Sequence, residues 1–305
     1  MRKSNHYFMD THCHTILSDG KYSPEEVIRK AINANITALA LTDHNIIADN
    51  LSELQLSYPE ILLIPGCEIT CKWITKSQKE VELHIIGLFV KRSDPLLNAI
   101  FSKNQNSRDE YLNNILSKLK KYNIDIGSLE SLKKKYPNTK YLGRMHIAEA
   151  MLLQGFVNNI DEAFDEYIGA FGKRRAYVKN TTNVAVTLED TVKAIRHAKG
   201  IAVLPHLFYF QLDDEEIVEL LQYFKELAGE IAGLETEYAL YSCKEREQLY
   251  KFSQEYCLLP TCASDFHGMN PSETLNNHFP IHNFYKLCKA RMEAYGEFVN
   301  PYNNM

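Results

Sequence analysis

Residues 36–44 read ITALALTDH, an apolar run that ends in Thr42, Asp43 and His44. A short apolar run of this kind is typical of a β-strand that is buried on both faces. Six further runs have the same character and predict further strands: 7–11, 61–64, 82–90, 201–204, 231–235 and 258–263. The chain is therefore expected to contain a sheet made of nearly continuous apolar strands.

Helical patterns separate most of these strands, for instance over 187–198 and 213–227. The first predicted helix begins within residues 23–26, Ser-Pro-Glu-Glu. Ser23 and Glu26 have the spacing of a capping box, and proline suits the first helical turn. Alternation of apolar strands with helices predicts an α/β fold, in which helices cover a parallel sheet or barrel.

The segment 95–183 interrupts this alternation. Its pattern is helical, polar and rich in Lys, Asn and Tyr, and the one strand expected there is 176–178. We therefore predict a barrel domain formed by residues 1–94 and 184–305. The segment 95–183 is predicted to be a helical insertion that forms part of the substrate pocket.

Composition and charge exclude several classes of protein. The formal net charge of −5 disfavours non-specific nucleic-acid binding, although a local basic patch stays open. No run approaches the roughly 18 apolar residues that cross a bilayer, and the N-terminus lacks the apolar core of a signal peptide. The seven cysteines have no framework spacing and are predicted to be free thiols. We expect a cytoplasmic protein with no membrane contact and no extended nucleic-acid surface.

Metal-capable side chains follow the predicted strands. His12 and His14 come after the first strand, and their spacing places both on the same side of the chain. Asp265 and His267 repeat this spacing after the last strand. The carboxyl ends of parallel strands meet on one face, so these groups can converge. The full candidate set is His12, His14, Asp19, His44, Glu68, His84, His206, Asp265 and His267.

This set of residues predicts a metal centre. Each of these residues alone is a weak signal, but nine together combine imidazole with carboxylate and include no thiolate. Such a mixture suits Mn, Fe or Zn, and nine ligands suffice for two or three divalent ions. A carboxylate such as Glu68 can bridge two of the ions, as hydrolytic two-metal sites require.

The order of these motifs resembles the PHP superfamily, which is named for polymerase-associated and histidinol-phosphatase domains. The matching stretches are 10–14 (DTHCH), 18–20 (SDG), 42–44 (TDH), 66–68 (GCE) and 264–268 (SDFHG). The resemblance implies a distorted (β/α)7 barrel with a trinuclear metal site. It assigns His12, His14, Glu68 and Asp265 to the first ion, Glu68, His84 and His206 to the second, and Asp19, His44 and His267 to the third.

The insertion resembles one branch of this superfamily, the nucleotide phosphatases and 5′-to-3′ exoribonucleases of short RNA. The signature Gly-Arg-Pro-His-Ile-Ala of that branch reads GRMHIA at 143–148, which implies that Arg144 and His146 contact substrate phosphate. Two departures can reshape the pocket: Met145 replaces the proline, and 205–207 read PHL in place of Ala-His-Pro. Arg174 and Arg175 are expected either to hold a second phosphate or to form a solvated basic turn.

The expected activity is metal-dependent hydrolysis of phosphate esters in nucleotides or short oligonucleotides, of the 3′,5′-nucleotide phosphatase or 5′-to-3′ exoribonuclease type. A metal-bound hydroxide, rather than a protein nucleophile, would attack phosphorus beside Asp265 and His267. Asp43 is expected to orient a histidine or a water molecule, and Glu235 either does the same or is an ordinary strand-end carboxylate. Two alternatives stay open: a small-metabolite phosphomonoesterase such as histidinol phosphatase, and a non-catalytic metal-binding accessory module. The expected partner is a phosphorylated small molecule, a nucleotide or a short RNA.

Overall fold

Seven β-strands form one sheet in which each strand pairs with the next along the chain. They are β1 (Phe8–Cys13), β2 (Ile36–Leu41), β3 (Leu62–Ile74), β4 (Glu80–Leu88), β5 (Ile201–Leu204), β6 (Gly233–Tyr238) and β7 (Leu259–Ala263). The first and last strands also meet: Asp265 N donates to His12 O and His14 N donates to Phe266 O, both at 2.9 Å. The sheet is thus a nearly closed barrel, as predicted. The computed structural model describes residues 8–169, 173, 186–269, 273–275 and 282–296.

Helices surround the barrel and fill the interval between β4 and β5. They are α1 (Pro24–Asn33), α2 (Leu51–Ser57), α3 (Pro95–Lys120), α4 (Leu129–Lys135), α5 (Arg144–Leu153), α6 (Ile160–Glu162), α7 (Leu188–His197), α8 (Asp214–Ala228), α9 (Cys243–Glu255) and α10 (His282–Tyr295). A π-helical turn, Ala163–Ile168, continues α6, and short 3₁₀ turns cover Leu207–Phe210 and Gly229–Ile231. The predicted capping box of α1 is confirmed, since Ser23 N donates to Glu26 Oε2 at 2.8 Å and Glu26 N donates to Ser23 Oγ at 3.3 Å.

The sheet is mixed rather than parallel throughout, because β4 runs antiparallel to β3 and β5. Only residues 75–79 separate β3 from β4, which is too short for the crossover that a parallel pair needs. The β3 strand is also longer than the predicted run 61–64. His12 lies within β1, so the expectation that every ligand follows a strand end is wrong for it. The expectation is also wrong for Glu68 and His84, which lie inside β3 and β4. They still meet, because Thr70 pairs with His84 and Glu68 with Ile86 on the same hairpin.

The helices between β4 and β5 have a core of their own. Buried apolar side chains of α3, α4 and α5, such as Leu119, Leu132 and Ile147, pack together in one cluster. A separate cluster packs the inner strands β3, β4 and β5 against α7 and α8. Helices joined by turns thus make up residues 95–168, and the strand expected at 176–178 lies outside the described residues. None of the described helices combines the length and apolar character needed to cross a bilayer.

Candidate metal centre and phosphate cavity

The structure brings all nine candidate ligands together at one end of the barrel. Every one of them belongs to at least one of four groups whose nitrogen and oxygen atoms lie within 4.8 Å of one another. His12 is the last residue but one of β1, and His14 follows that strand. His44 follows β2, His206 follows β5, and the pair Asp265 and His267 follows β7. The groups are His14–Asp19–His44–His267, His12–Glu68–His206, His12–His14–Asp265 and His44–Glu68–His84.

Glu68 is at the centre of this arrangement and is almost completely buried. Its Oε1 lies 2.8 Å from His84 Nδ1 and 3.1 Å from His206 Nε2. Its Oε2 lies 2.9 Å from His44 Nδ1. The Nε2 atoms of His12 and His14 lie 3.6 and 3.4 Å from the same carboxylate. One carboxylate surrounded by five imidazoles has the position that a bridging metal ligand requires.

Three of the candidate ligands, His12, His14 and Asp265, have the spacing of a coordination shell. His12 Nε2 and His14 Nε2 lie 3.1 Å apart, and Asp265 Oδ1 lies 3.4 and 3.3 Å from them. Glu68 lies beside this group, with one oxygen near His12 and the other near His14, and belongs to the two neighbouring groups. Nitrogen and oxygen donors at about 2.0–2.2 Å from a tetrahedral ion lie about 3.3–3.6 Å from one another. The donors of His12, His14 and Asp265 therefore have a spacing that suits one divalent cation, and Glu68 borders them.

A second part of the cluster joins Asp19 to two histidines. Asp19 Oδ2 lies 3.5 Å from His44 Nε2, and Asp19 Oδ1 lies 3.4 Å from His267 Nε2. Asp19 Oδ1 and His44 Nδ1 are buried and make no aligned hydrogen bond within the described residues. His44 Nδ1 is close to Glu68 in distance, but the angle is wrong for a hydrogen bond. Buried polar atoms of this kind need a partner, and a cation would supply it.

The turn that carries Asp19 depends on a glycine. A Cβ atom on Gly20 would lie 2.6 Å from the backbone carbonyl of His14, closer than any side chain can come. Asp43 holds the same turn, because its carboxylate accepts hydrogen bonds from the backbone N and the hydroxyl of both Thr15 and Ser18. Asp43 was expected to orient a histidine or a water molecule. Its hydrogen bonds fix the loop between His14 and Asp19, and through Ser18, whose Oγ lies 3.5 Å from His14 Nδ1, they agree with an indirect role in orienting that histidine.

Opposite charges stabilise the ionised carboxylates. Burial by itself would raise the pKa of Glu68, but His84, His44 and His12 outweigh burial and hold that pKa well below its ordinary value. Burial would also raise the pKa of Asp265, but the nearby histidines, above all His12, outweigh burial and lower that pKa strongly. Both carboxylates are therefore anionic at neutral pH, which is the form that binds a metal ion.

The histidines differ from one another. Burial lowers the pKa of His14, and the nearby His267 lowers it further, so His14 is neutral. Burial also acts on His267, but Asp19 outweighs it and raises the pKa of His267 to about 9. Burial would lower the pKa of His12, but nearby carboxylates, above all Glu235, outweigh burial and raise that pKa. A cluster with protonated imidazoles must release protons when it binds metal ions.

Two residues of β6 form hydrogen bonds to the candidate ligands without belonging to the ligand set. Glu235 Oε1 lies 2.8 Å from His12 Nδ1, and its Oε2 accepts a hydrogen bond from His206 N, also at 2.8 Å. Glu235 thus leaves His12 Nε2 to face the cluster, which favours the supporting role over an ordinary strand-end carboxylate. The hydroxyl of Tyr238 donates to Asp265 Oδ2 at 2.9 Å.

A cavity of about 400 Å³ opens over the metal-capable cluster. Arg144 lines it at the N-terminus of α5, with its guanidinium 5.8 Å from the ring of Phe164. His146 does not line it among the described residues: His146 is buried, and its Nδ1 accepts a hydrogen bond from Gly143 N at 2.9 Å. Burial lowers the pKa of His146, in agreement with a neutral acceptor. Arg174 and Arg175 lie outside the described residues.

The cavity also contains residues that sequence reasoning missed. Arg108 lines it from α3, with Nε donating to Leu142 O at 2.9 Å and the guanidinium 5.2 Å from the ring of Tyr141. Tyr209 lines the rim and is 66% exposed. Nothing in the sequence marks Arg108, because it lies on a polar helix face among other charged residues. Tyr209 has one signal, its position three residues after His206.

Comparison with known proteins agrees with this geometry. The PHP domain model matches residues 10–183, more than half of the 305 residues. A 5′-3′ exoribonuclease of Haemophilus influenzae is 30% identical over 265 residues, which cover 85% of this chain and 89% of that protein. A 3′,5′-nucleoside bisphosphate phosphatase of Chromobacterium violaceum is 26% identical over 262 residues, which cover 85% of this chain and 87% of that protein.

A solved structure has the same fold over almost the entire length of both chains. It belongs to a protein of Bifidobacterium adolescentis described as a metal-dependent phosphoesterase, with a TM-score of 0.77, 21% identity, and coverage of 94% of this chain and 97% of that one. The ordered motifs, the barrel and the convergence of nine metal-capable side chains agree with the match to the family model. The chain therefore belongs to the PHP domain family and is a metal-dependent phosphoesterase.

Proposed function

We propose that this chain hydrolyses phosphate esters of nucleotides or short oligonucleotides, as a 3′,5′-nucleotide phosphatase or a 5′-to-3′ exoribonuclease. The observation that carries the proposal is the position of Arg144 and Arg108 on the wall of a cavity whose floor contains Glu68 and three of the five histidines around it. Cationic side chains facing a metal-capable cluster suit a phosphorylated substrate. The names of the exoribonuclease and bisphosphatase relatives support the nucleotide class.

The nine candidate residues would hold two or three divalent ions, Mn, Fe or Zn, in the allocation that the sequence motifs imply. When bound, such ions neutralise the charge of a phosphate group and make water a better nucleophile at neutral pH. The chain's contribution is to fix the ligands: Glu68 between the sites, and Asp265 and His267 beside the reacting phosphate. The proposed route is direct hydrolysis by metal-activated water, without a covalent intermediate on the protein.

The phosphate wall has three components. The first turn of α5 directs backbone N–H groups and the positive end of the helix dipole toward its N-terminus. Arg144, its first residue, adds a planar guanidinium that can form paired hydrogen bonds with phosphate oxygens. Arg108 approaches from α3, and its Nη2 would lie 3.0 Å from a Cβ atom placed on Gly143. The absence of a side chain at Gly143 lets Arg108 approach the helix terminus.

The insertion forms part of this substrate pocket. Arg108, Tyr141, Arg144, Met145 and Phe164 all line the cavity, and all lie between residues 95 and 183. We therefore keep the division into a barrel of residues 1–94 and 184–305 with a helical insertion at 95–183. The barrel supplies the candidate metal ligands and the insertion supplies the phosphate wall.

The rim of the cavity suits a nucleobase. The ring of Tyr209 is mostly exposed, and its centroid lies 5.4 Å from that of His206. An exposed aromatic ring beside a phosphate site can stack on any base, and such stacking is worth about 1–3 kcal/mol per base in single-strand binding proteins. This feature favours nucleotides over histidinol phosphate, and it requires no particular base.

All seven cysteines are free thiols, which supports the expected cytoplasmic location.

The proposal is tested by a substrate comparison. Purified protein is stripped with a chelator and reloaded with Mn²⁺. It is then given a nucleoside 3′,5′-bisphosphate, a 5′-phosphorylated RNA oligomer and histidinol phosphate, and the release of phosphate and nucleotide is measured. We expect turnover of the nucleotide substrates that is lost in His12→Ala. Loss of a charged hydrogen-bond partner costs about 1.5–3 kcal/mol, so Arg144→Ala should raise KM by roughly 10- to 150-fold.

The control is Arg92→Ala, which removes an exposed arginine that pairs with Asp49 away from the cavity. Its kinetic constants should match those of the wild type. Activity confined to histidinol phosphate would overturn the nucleotide assignment and keep the metal chemistry. Metal binding with no turnover of any substrate would favour the accessory-module alternative.

A further inference from the structure

The strand β6 carries no candidate metal ligand. Two of its side chains, and one side chain just after the strand, nevertheless form hydrogen bonds to the strands and loops that carry the ligands. Glu235 contacts His12 and the backbone of His206, as described above. Tyr238, at the end of the strand, reaches Asp265 on the loop after β7. Tyr241, three residues later, accepts a hydrogen bond from Phe208 N on the loop that follows His206. The ligands on both sides of β6 are thus fixed from this strand.

Tyr238 gives the two oxygens of the Asp265 carboxylate different surroundings. Its hydroxyl donates to Oδ2 at 2.9 Å. The other oxygen, Oδ1, faces the cluster and lies 3.4 and 3.3 Å from the Nε2 atoms of His12 and His14. A carboxylate can bind a cation with one oxygen or with both, and a hydrogen bond to one oxygen favours the first mode.

The surroundings of Tyr238 hold its hydroxyl in place. The side chain is 5% exposed, and its ring centroid lies 4.7 Å from that of Tyr241 and 6.0 Å from that of His206. Asp265 has a φ of +52°, in the left-handed region that residues other than glycine seldom adopt. A side chain on a strained backbone needs support from its neighbours to keep one orientation.

We propose that Tyr238 is a positioning residue that commits Asp265 to metal binding through Oδ1 alone and thereby sets the metal affinity of the His12–His14–Glu68–Asp265 site. The proposal rests on the proposed metal centre. Without the hydroxyl, the carboxylate loses its partner at Oδ2 and is free to turn both oxygens toward the ion or away from it. Removal of a hydrogen bond that orients a ligand typically weakens metal binding by 10- to 100-fold.

The test is Tyr238→Phe, which keeps the ring and removes the hydroxyl. Mn²⁺ binding to the chelator-stripped protein is measured by titration calorimetry, and the metal content is measured after dialysis. We expect one class of sites to weaken by about 10- to 100-fold, while the unfolding temperature of the metal-free protein falls by no more than roughly 2–5 °C, the effect of one lost hydrogen bond. The matched control is Tyr250→Phe, which removes a hydroxyl that interacts with Thr236 of the same strand. The control should bind Mn²⁺ as the wild type does.

A double-mutant cycle separates positioning from a general structural effect. In an Asp265→Ala background, Tyr238→Phe should have no further effect on Mn²⁺ affinity, because the partner of the hydroxyl has already been removed. The proposal is overturned if Tyr238→Phe binds Mn²⁺ within twofold of the wild type, or if Tyr250→Phe is equally impaired. Failure of the wild type to bind metal would overturn both this proposal and the metal centre. Normal metal binding without hydrolysis would overturn the proposed function alone. The role of Tyr238 would then still be decided by the Mn²⁺ titration of Tyr238→Phe.

Discussion

Glu235→Gln perturbs two hydrogen bonds with a single atom change, and so tests how the barrel supports the candidate metal centre. Glu235 is almost fully buried and accepts from His12 Nδ1 and from His206 N, each at 2.8 Å. Glutamine keeps the size and shape of the side chain but has one acceptor oxygen and one NH₂ donor. One of the two partners must therefore face a donor.

Both orientations of the glutamine are unfavourable. If the NH₂ group faces His206 N, two donors meet in a buried site, at a cost of about 1–3 kcal/mol. If it faces His12 Nδ1, that nitrogen must become an acceptor, and the proton moves to Nε2. This is the nitrogen that lies 3.1 Å from His14 Nε2 within the candidate coordination group. A protonated Nε2 cannot bind a metal ion.

The expected magnitudes follow from these two outcomes. Metal affinity should fall by about 10- to 100-fold, the usual effect of losing a partner that orients a histidine ligand. For a 305-residue chain the unfolding entropy is about 0.6 kcal/mol/K, so a cost of about 1–3 kcal/mol would lower the unfolding temperature of the metal-free protein by roughly 2–5 °C. Each orientation of the glutamine produces one of these two effects, so either the Mn²⁺ affinity or the unfolding temperature must fall.

The assay combines Mn²⁺ titration calorimetry with thermal unfolding of the metal-free protein. Glu237→Gln is the control, because Glu237 lies on the same strand and pairs with Arg246 at 3.3 Å away from the cluster. A Glu235→Gln variant with both wild-type Mn²⁺ affinity and wild-type unfolding temperature would refute the reasoning. The result would mean that neither His12 nor the His206 backbone depends on the charge of Glu235.

Three further predictions concern other parts of the molecule. Asp19 raises the pKa of His267 to about 9, so below that pH metal binding must displace a proton; the Kd for Mn²⁺ should increase as pH falls from 9 to 7, and a Kd independent of pH would contradict this. Gly143→Ala places a Cβ atom 3.0 Å from Arg108 Nη2; KM for nucleotide substrates should rise severalfold with metal content unchanged, as steady-state kinetics and elemental analysis would show. Leu119→Ala empties a buried site in the helical cluster and should destabilise the protein by about 2–5 kcal/mol in urea unfolding, while a change in metal content would show that this cluster is coupled to the barrel.

Much of the candidate site is predictable from local sequence. The apolar runs before His12, His44, His206 and Asp265 indicate strands, because hydrophobic patterning reports burial directly. Once those strands form a barrel, side chains that follow them must approach one another. The convergence of nine metal-capable residues agrees with this reasoning. The capping box at Ser23 is local in the same sense, since its donors and acceptors are three residues apart.

The sequence pattern was misleading where an apolar run does not reveal the direction of a strand. Glu82–Val90 has the same composition whether it pairs parallel or antiparallel, so the reversal at β4 was missed. The partners of Asp43 are a second case: its oxygens accept hydrogen bonds from Thr15 and Ser18, which precede it by 25 to 28 residues, and no local pattern predicts these two partners. Adjacency in sequence does not specify the direction in which a side chain points.

The sequence by itself determined the strands, the identity of the candidate ligands and the family, because each depends on residue type and spacing within a short segment. The tertiary structure alone decided that Glu68 lies among five histidines, that Arg108 meets the N-terminus of α5, and that β6 supports ligands on its neighbours. These contacts join residues far apart in the chain, and their geometry depends on barrel closure and on the packing of the insertion. Distances of 3 Å between such groups result from the whole fold, which no local pattern encodes.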